Sequence, residues 1–108
     1  MSRIKGDRAE ETAAAFLMAR GCRIVARNVS SRFGEIDIVA ERGGVLHFVE
    51  VKSGTGFEPI YNITPAKLSR LTRTIEWYLQ KHRIEIPCQL DALIVRGREC
   101  EWVQNITL

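Results

Sequence analysis

The sequence predicts an α/β protein in which a mixed β-sheet lies between helices, giving three layers. Two segments carry apolar residues at helical spacing, one near the start of the chain and one in its second half. The segments between and after them alternate apolar and polar residues, as strands do. The predicted order is helix, three strands, helix, strand and a short final strand. The chain has 108 residues, so we expect one domain over residues 1–108.

The first helix is predicted over residues 7–20. Asp7 can cap it, Glu10 follows three residues later, and Gly21 is expected to end it. Apolar side chains recur within it at helical spacing: Ala9, Ala13, Phe16 and Leu17. Alternation then predicts a strand over residues 22–28, and residues 30–34 should turn the chain.

The second and third strands are predicted to form a hairpin around Gly43 and Gly44. On the second strand, one set of alternating residues is expected to face one way: Ile36, Ile38 and Ala40. The intervening set should face the other way: Glu35, Asp37 and Val39. After the two-residue turn, residues 45–52 return as the third strand.

The hairpin geometry predicts which side chains meet. If Arg42 pairs with Val45, paired residue numbers sum to 87, so Asp37 faces Glu50 and Glu35 faces Lys52. Opposed side chains have Cβ atoms roughly 5 Å apart, a spacing at which like charges are destabilising. A divalent cation that takes oxygen ligands is a natural candidate to neutralise the two acids.

The second half of the chain is predicted to hold a loop, a helix and two strands. Residues 53–62 contain two glycines and a proline, which predicts a mobile loop beside the charged cluster, placed like a substrate gate. Thr64 should cap a helix that begins at Pro65. Its apolar stripe is Leu68, Leu71, Ile75, Tyr78 and Leu79. A strand over residues 89–95, joined by a right-handed crossover, a turn over 96–99 and an edge strand over 100–103 complete the sheet.

The positive charge of the chain is concentrated on this second helix. Residues 64–83 carry five cations and one acid, a charge of +4, so the rest of the +3 chain carries −1. The cations are Lys67, Arg70, Arg73, Lys81 and Arg83. Such a surface suits a polyanion, although basic helices are also common on proteins that bind nothing acidic.

The cysteine content and the hydropathy of the sequence predict the cellular compartment. The odd number of cysteines and the lack of a Cys-x-x-Cys pair argue against a disulfide framework and a zinc site, and fit a reducing cytoplasm. The longest apolar run is residues 13–19, far short of the roughly 20 residues that span a bilayer, and the start of the chain does not resemble a signal peptide. We therefore expect a cytoplasmic protein.

Asp37, Glu50 and Lys52 supply the groups needed for metal-assisted hydrolysis of a phosphodiester. A Mg²⁺ held by two carboxylates keeps several waters, lowers the pKa of one and neutralises charge on the phosphate. Lys52 beside two carboxylates should stay protonated, which favours a role in positioning and charge stabilisation.

The order of these groups resembles the PD-(D/E)xK nuclease superfamily, whose restriction-endonuclease-like core has the order αβββαβ. The chain also resembles the YraN-like family of small bacterial proteins, through two central segments: residues 34–40 (GEIDIVA) and 48–52 (FVEVK). Further positions match that family: Glu10, Ala13, Ala14, Phe16, Leu17, Gly21, Arg27, Asn28, Lys67 and Asp91.

The resemblance implies a Mg²⁺- or Mn²⁺-dependent endonuclease acting on DNA, preferably branched or single-stranded. Asp37 and Glu50 would be metal ligands, Lys52 the catalytic lysine, and Glu10 a helix-borne acid at the site. The cations of the second helix would contact the nucleic-acid backbone: Lys67, Arg70, Arg73 and Lys81. Cutting both strands of DNA usually requires two active sites, which would be consistent with a homodimer.

The sequence departs from the YraN-like family at two places. Ser53 and Gly54 follow the Glu-x-Lys motif where the family usually carries arginine, and Gln89-Leu90-Asp91 replaces Arg-Phe-Asp. These departures keep two alternatives open: a non-catalytic module that binds nucleic acid or protein, and a small structural domain whose carboxylates form surface ion pairs.

Several of these residues also have a purely structural interpretation. Glu10 has the spacing of a capping box with Asp7, and Glu35 could partner Lys52 or be a solvated turn residue. Asp91 is expected to make a buried structural hydrogen bond. His47 and His82 are expected at the surface, and Trp77 and Tyr78 in the core or at a dimer contact: four residues without ligand or stacking roles.

Overall fold

The protein, seen in a computed structural model, is described for residues 2–54 and 63–106, with side chains from residue 8 onward. Its elements are α1 (Ser2–Ala19), β1 (Arg23–Ser30), β2 (Glu35–Arg42), β3 (Val45–Ser53), α2 (Pro65–Lys81), β4 (Cys88–Arg96) and β5 (Glu99–Val103). The predicted α/β class and the order of its elements are confirmed. The predicted gate over residues 53–62 lies outside the described residues from position 55 onward.

The five strands form one mixed sheet in the order β1-β2-β3-β4-β5. Strands β3 and β4 are parallel, and every other neighbouring pair is antiparallel. A parallel pair needs a crossover connection, and α2 lies in the chain between β3 and β4. The mixed character of the sheet was therefore predictable from the second helix.

The hairpin between β2 and β3 has the predicted register. Pairing runs from Arg42 with Val45 to Ile38 with Val49, so the residue numbers sum to 87. The backbone φ angles at Gly43 and Gly44 are 60° and 81°, and positive values at both central residues suit a two-residue hairpin turn. Glycine adopts this conformation without the steric penalty that other residues meet.

Two hydrophobic clusters cover the two faces of the sheet. One cluster packs α1 against the sheet through Ala13 and Leu17 of the helix and Val49 of β3. The other packs α2 through Leu71 and Tyr78, and the Tyr78 ring meets the Phe48 ring edge-on at 5.7 Å. This confirms the three-layer arrangement and the predicted core position of Tyr78.

The predicted alternation along β2 is wrong at Ile36. Ile38 and Ala40 pack in the α1 cluster, whereas Ile36 packs with Val39 in the α2 cluster. The change of face lies opposite Asn28 on the neighbouring strand, whose φ of 54° is left-handed. Asp37 therefore lies where β2 changes face.

The predicted start is wrong for helix α1 and correct for helix α2. Helix α1 begins at Ser2, so Asp7 lies inside the helix and does not cap it. Residues 3–5 have ordinary helix propensity, and the single glycine at position 6 does not prevent the helix from beginning before Asp7. Helix α2 matches the prediction: Thr64 accepts a hydrogen bond from the Lys67 backbone N–H at 3.1 Å, and Pro65 follows it.

Within the described ranges, neither helix is both long and apolar enough to cross a lipid bilayer. The three cysteines are free thiols, and Cys22 is the buried one.

Candidate functional site

Three carboxylates from three different elements approach one another at the end of the β2–β3 pairing. Asp37 comes from β2, Glu50 from β3 and Glu10 from α1. Pairing of β2 with β3, within the described residues, ends at Ile38 and Val49. Past this point the Asp37 carboxylate takes the place of a backbone acceptor, since its Oδ2 accepts a hydrogen bond from the Val51 N–H at 2.7 Å.

The Asp37 and Glu50 side chains meet as the hairpin register predicts. The Glu50 carboxyl group is close enough for its charge, and for hydrogen bonding between the two side chains, to raise the pKa of Asp37. Glu50 is only 7% exposed, so water provides little screening. Because two like charges this close repel each other, the pair readily accepts a proton or another cation.

Burial raises the pKa of Asp37 to about 7, and the neighbouring Glu50 charge adds to this effect. The charge of Glu10 and the hydrogen bond to Glu50 raise it further, whereas the hydrogen bond from the Val51 N–H opposes the rise. Asp37 therefore changes its charge near neutral pH, far above the ordinary value of 3.8.

Lys67 holds the other acid of the pair. Its Nζ lies 2.8 Å from Glu50 Oε2, although the Lys67 side chain is 38% exposed. The sequence predicted Lys67 as a contact for nucleic acid and did not predict this ion pair. Lys67 lies in the first turn of α2, close to the Thr64 cap, so the first turn of this helix is within side-chain reach of Glu50.

Glu10 faces the site but is held by residues of β1. Arg27 Nη2 lies 3.9 Å from Glu10 Oε1, and the Asn28 side-chain amide, with its nitrogen turned towards the carboxylate, reaches both oxygens at 3.0 and 3.2 Å. The capping-box interpretation of Glu10 is wrong, because α1 begins at Ser2 and Asp7 is not its N-cap. Sequence reasoning missed Asn28 as a partner of Glu10; the matched Arg27-Asn28 pair was the available signal.

Lys52 lies two residues beyond Glu50 on β3 and therefore projects from the same face of the strand. It is partly buried. Glu35 pairs with Ser30 of β1 and is exposed, which favours the solvated interpretation over a contact with Lys52.

The described residues include no group of three or more His, Cys, Asp and Glu side chains that could hold a metal ion. Any metal held here would therefore rest on the Asp37–Glu50 pair. Two carboxylates are enough for Mg²⁺, which keeps several of its waters and often binds through one or two carboxylates together with substrate phosphates. The donor set fits a hard cation of this kind.

Asp91 belongs to a separate, fully buried network. Its Oδ2 accepts hydrogen bonds from His47 Nδ1 at 2.7 Å and Trp102 Nε1 at 2.9 Å. Its Oδ1 accepts from Gln89 Nε2 at 2.8 Å and the Asn105 N–H at 2.9 Å. The structural interpretation of Asp91 is confirmed. The surface position predicted for His47 is wrong, because this carboxylate gives a buried imidazole a partner.

The remaining cations of α2 face the solvent. Arg70, Arg73 and Lys81 are exposed, and the Lys81 ammonium lies 4.8 Å from the centre of the Trp77 ring. Trp77 packs against the α2 cluster, so it belongs to the core edge. His82 caps the end of α2 and is exposed, as predicted.

Comparison with known proteins identifies the relatives of this chain. Residues 9–95 match the family described as Uncharacterised protein family UPF0102. The chain belongs to the UPF0102 family. This confirms the YraN-like resemblance carried by the sequence motifs.

Individual UPF0102 proteins match over almost their whole length. The chain is 58% identical to a UPF0102 protein of Wolinella succinogenes, over 100% of both chains. It is 53% identical to one of Helicobacter hepaticus, over 99% of this chain and 97% of the relative. A UPF0102 protein of a Sulfurovum species is 43% identical, over 100% of this chain and 97% of the relative.

The part of the chain that matches the UPF0102 family contains the whole carboxylate cluster. Residues 9–95 include Glu10, Asp37, Glu50 and Lys67. They also include Asp91 but stop before β5, which supplies Trp102 to the buried network.

Proposed function

We propose that this UPF0102 protein is a metal-dependent endonuclease that hydrolyses phosphodiester bonds of DNA, with branched or single-stranded DNA as the preferred substrate. The observation that carries the proposal is the partly buried Asp37–Glu50 pair, in which the pKa of Asp37 is raised to about 7. Such perturbed carboxyl groups are more typical of functional sites than of surface ion pairs.

The proposed cofactor is Mg²⁺ or Mn²⁺ held by Asp37 and Glu50. When bound, it would lower the pKa of a water molecule and neutralise charge on the phosphate. The Val51 N–H points towards Asp37, and the carbonyl of a strand residue projects to the same edge as its N–H, so Val51 can offer a third oxygen there.

The other residues of the site would handle the water and the phosphate. Lys52 projects from the Glu50 face of β3 and, as an ammonium, can orient the attacking water and stabilise the developing charge. Glu10 is a further carboxylate near Asp37 and can accept a hydrogen bond from water at the site. Lys67 can leave Glu50 for a phosphate oxygen once another cation offsets the Glu50 charge.

Binding of DNA would use the exposed cations of α2. Arg70, Arg73 and Lys81 can contact phosphates irrespective of base sequence. Because such contacts release counterions, we expect the affinity to fall steeply as salt rises.

A second candidate is a non-catalytic module that binds nucleic acid. The observation that favours it is the Lys67–Glu50 ion pair of 2.8 Å, which already neutralises one acid of the cluster. The Ser53-Gly54 and Gln89 positions, where the YraN-like pattern carries arginines, favour the same candidate.

A cleavage assay with matched variants separates the two candidates. Branched, single-stranded and duplex DNA would be incubated with the protein in Mg²⁺, Mn²⁺ or EDTA, beside Asp37→Asn, Lys52→Met and Glu35→Gln. The nuclease proposal predicts metal-dependent cutting that the first two variants lose. Glu35→Gln, which removes an exposed acid from the same strand, should keep it.

Metal binding can be measured without cleavage. Mn²⁺ should raise the melting temperature of the wild-type protein and of Glu35→Gln but not of Asp37→Asn, because a ligand of the folded state stabilises it. DNA binding without cutting in any metal, combined with no effect of Mn²⁺ on melting, would overturn the nuclease proposal and leave the non-catalytic module.

A further inference from the structure

The turn between β1 and β2 is fixed to helix α2 by hydrogen bonds. Ser31 Oγ accepts from the backbone N–H groups of Phe33 and Gly34 at 3.0 and 3.3 Å. The same oxygen lies 3.0 Å from Thr74 Oγ1, and Thr74 is completely buried in α2 and donates to the Arg70 carbonyl at 2.9 Å. The turn is therefore held in one position relative to the basic helix.

Gly34 brings this turn close to the basic helix. A side-chain carbon at position 34 would lie 3.7 Å from Arg70 Cβ and 3.6 Å from Thr74 Oγ1. The neighbouring side chain, Phe33, is consequently held beside the exposed cations of α2.

Phe33 is a large aromatic residue outside the described core. Phe33 is partly buried, but among the described residues it belongs to neither hydrophobic cluster. Two guanidinium groups lie near its ring instead: that of Arg32 at 4.9 Å and that of Arg73 at 5.9 Å from the ring centre. Both arginines are exposed.

An aromatic ring with exposed cations beside it matches the chemistry of an unpaired nucleotide. A base can stack on an aromatic ring whatever its sequence, and arginine side chains can follow the adjoining phosphates. The faces of bases inside a duplex are already covered by their neighbours. The ring therefore favours a single strand over a duplex.

We propose that the Phe33 patch, formed by Arg32, Phe33, Arg70 and Arg73, binds an unpaired nucleotide of single-stranded DNA, with its base stacked on Phe33. This inference rests on the proposed function in so far as the protein acts on DNA. The arginines exchange their contacts with the ring for contacts with the flanking phosphates.

The Phe33 patch lies at a useful distance from the carboxylates. Phe33 precedes Asp37 by four residues, which separates them by at most roughly 13 Å, the length of a fully extended chain of that size. Arg70 stands about one helical turn from Lys67, which contacts Glu50. Successive phosphates of a DNA strand are at least ~3.4 Å apart, so the patch would bind a nucleotide up to about four positions from the carboxylates.

DNA binding in EDTA tests this assignment without relying on cleavage. The anisotropy of a labelled oligo-dT and of a labelled duplex would be measured with the wild-type protein, Phe33→Leu, Phe33→Trp, Arg73→Gln and Arg98→Gln. Phe33→Leu keeps an apolar side chain but removes the stacking face. It should weaken oligo-dT binding by roughly 5- to 100-fold and leave duplex binding unchanged, whereas Phe33→Trp should bind oligo-dT at least as tightly as the wild type.

The charge variants provide the matched comparison. Arg73→Gln should weaken binding of both DNA forms, since it removes a phosphate contact. Arg98→Gln removes an exposed arginine from the turn between β4 and β5 and should change neither by more than about twofold, because it lies outside the patch. Unchanged melting temperatures would confirm that each variant folds.

Two results would overturn the assignment of the Phe33 patch. One is an oligo-dT affinity of Phe33→Leu within twofold of the wild type; the other is an equal loss on oligo-dT and duplex. The proposed nuclease activity can fail independently. If the protein binds DNA through Phe33 but cuts it with no metal, the assignment of the Phe33 patch stands and the nuclease proposal is wrong.

Discussion

Replacement of Asp37 by asparagine tests whether ionisation of the carboxylate pair destabilises the fold by a measurable amount. The asparagine would keep the size of the side chain, could still accept the hydrogen bond from the Val51 N–H and could donate to Glu50. It therefore imitates the protonated form of Asp37 at every pH. The variant should be more stable than the wild type wherever the wild-type Asp37 is ionised.

The sign and size of the effect follow from the pKa of Asp37. Its pKa is raised from the ordinary value of 3.8 to about 7, so the folded state binds more protons than the unfolded state between those values. The stability of the wild type must fall as pH rises through this interval and level off above it. At about 1.36 kcal/mol per pKa unit, the full shift corresponds to roughly 4 kcal/mol. Because Asp37 is not completely buried, solvent screening reduces the expected effect to about 2–4 kcal/mol.

The assay is urea unfolding in EDTA, followed by tryptophan fluorescence at several pH values between about 4 and 8.5. The difference in the free energy of unfolding between Asp37→Asn and the wild type should be small near pH 4 and rise to its full value near pH 8. Glu35→Gln, which neutralises an exposed acid two residues away on β2, should follow the wild-type pH dependence. A mutant-minus-wild-type difference that stays flat across this range, or a variant less stable than the wild type at pH 8, would refute the reasoning.

Three further predictions concern the two charged networks. Lys67→Met should lower the free energy of unfolding in EDTA by about 1–3 kcal/mol, because it leaves the buried Glu50 carboxylate without its cation. The same variant should let Mn²⁺ raise the melting temperature at lower concentration, because no ammonium competes for Glu50. Asp91→Ala should lower the free energy of unfolding, measured in urea, by about 3–5 kcal/mol, because His47 and other buried donors lose their acceptor. Asp91→Asn should lower it by less. Mn²⁺ affinity, titrated between about pH 6 and 8, should rise up to about tenfold per unit below pH 7 and level off above it, as Asp37 loses its proton; a flat profile would contradict this.

The local geometry of the hairpin made half of the candidate site predictable. Gly43 and Gly44 specify a two-residue turn, a turn of that length sets the register, and the register brings Asp37 towards Glu50. The first residue of α2 was also predictable, because local sequence signals determine it. Thr64 and Pro65 mark its start within a few residues of sequence.

The remaining partners of the carboxylates depend on contacts between distant parts of the chain. Lys67 is 17 residues from Glu50 in sequence, and Asn28 is 18 from Glu10, so neither pair follows from a periodic pattern. The helical spacing of Lys67 indicates that it lies beside the apolar stripe, but only packing of α2 on the sheet determines which strand it reaches. His47 illustrates the same limit, because its partner Asp91 lies 44 residues away on a parallel strand.

Burial is the main reason that the pKa of Asp37 is raised to about 7, and the distribution of charges around the site adds to it. Glu50 has the Lys67 ammonium at 2.8 Å, and Glu10 has Arg27 at 3.9 Å together with the Asn28 amide. Asp37 is the third acid, and the described residues give it a backbone N–H but no ion pair. The fold thus provides cations for two of the three carboxylates and leaves the third to take up a proton. A divalent cation beside Asp37 and Glu50 would replace that proton and weaken the hold of Glu50 on Lys67, which would then be available to a phosphate.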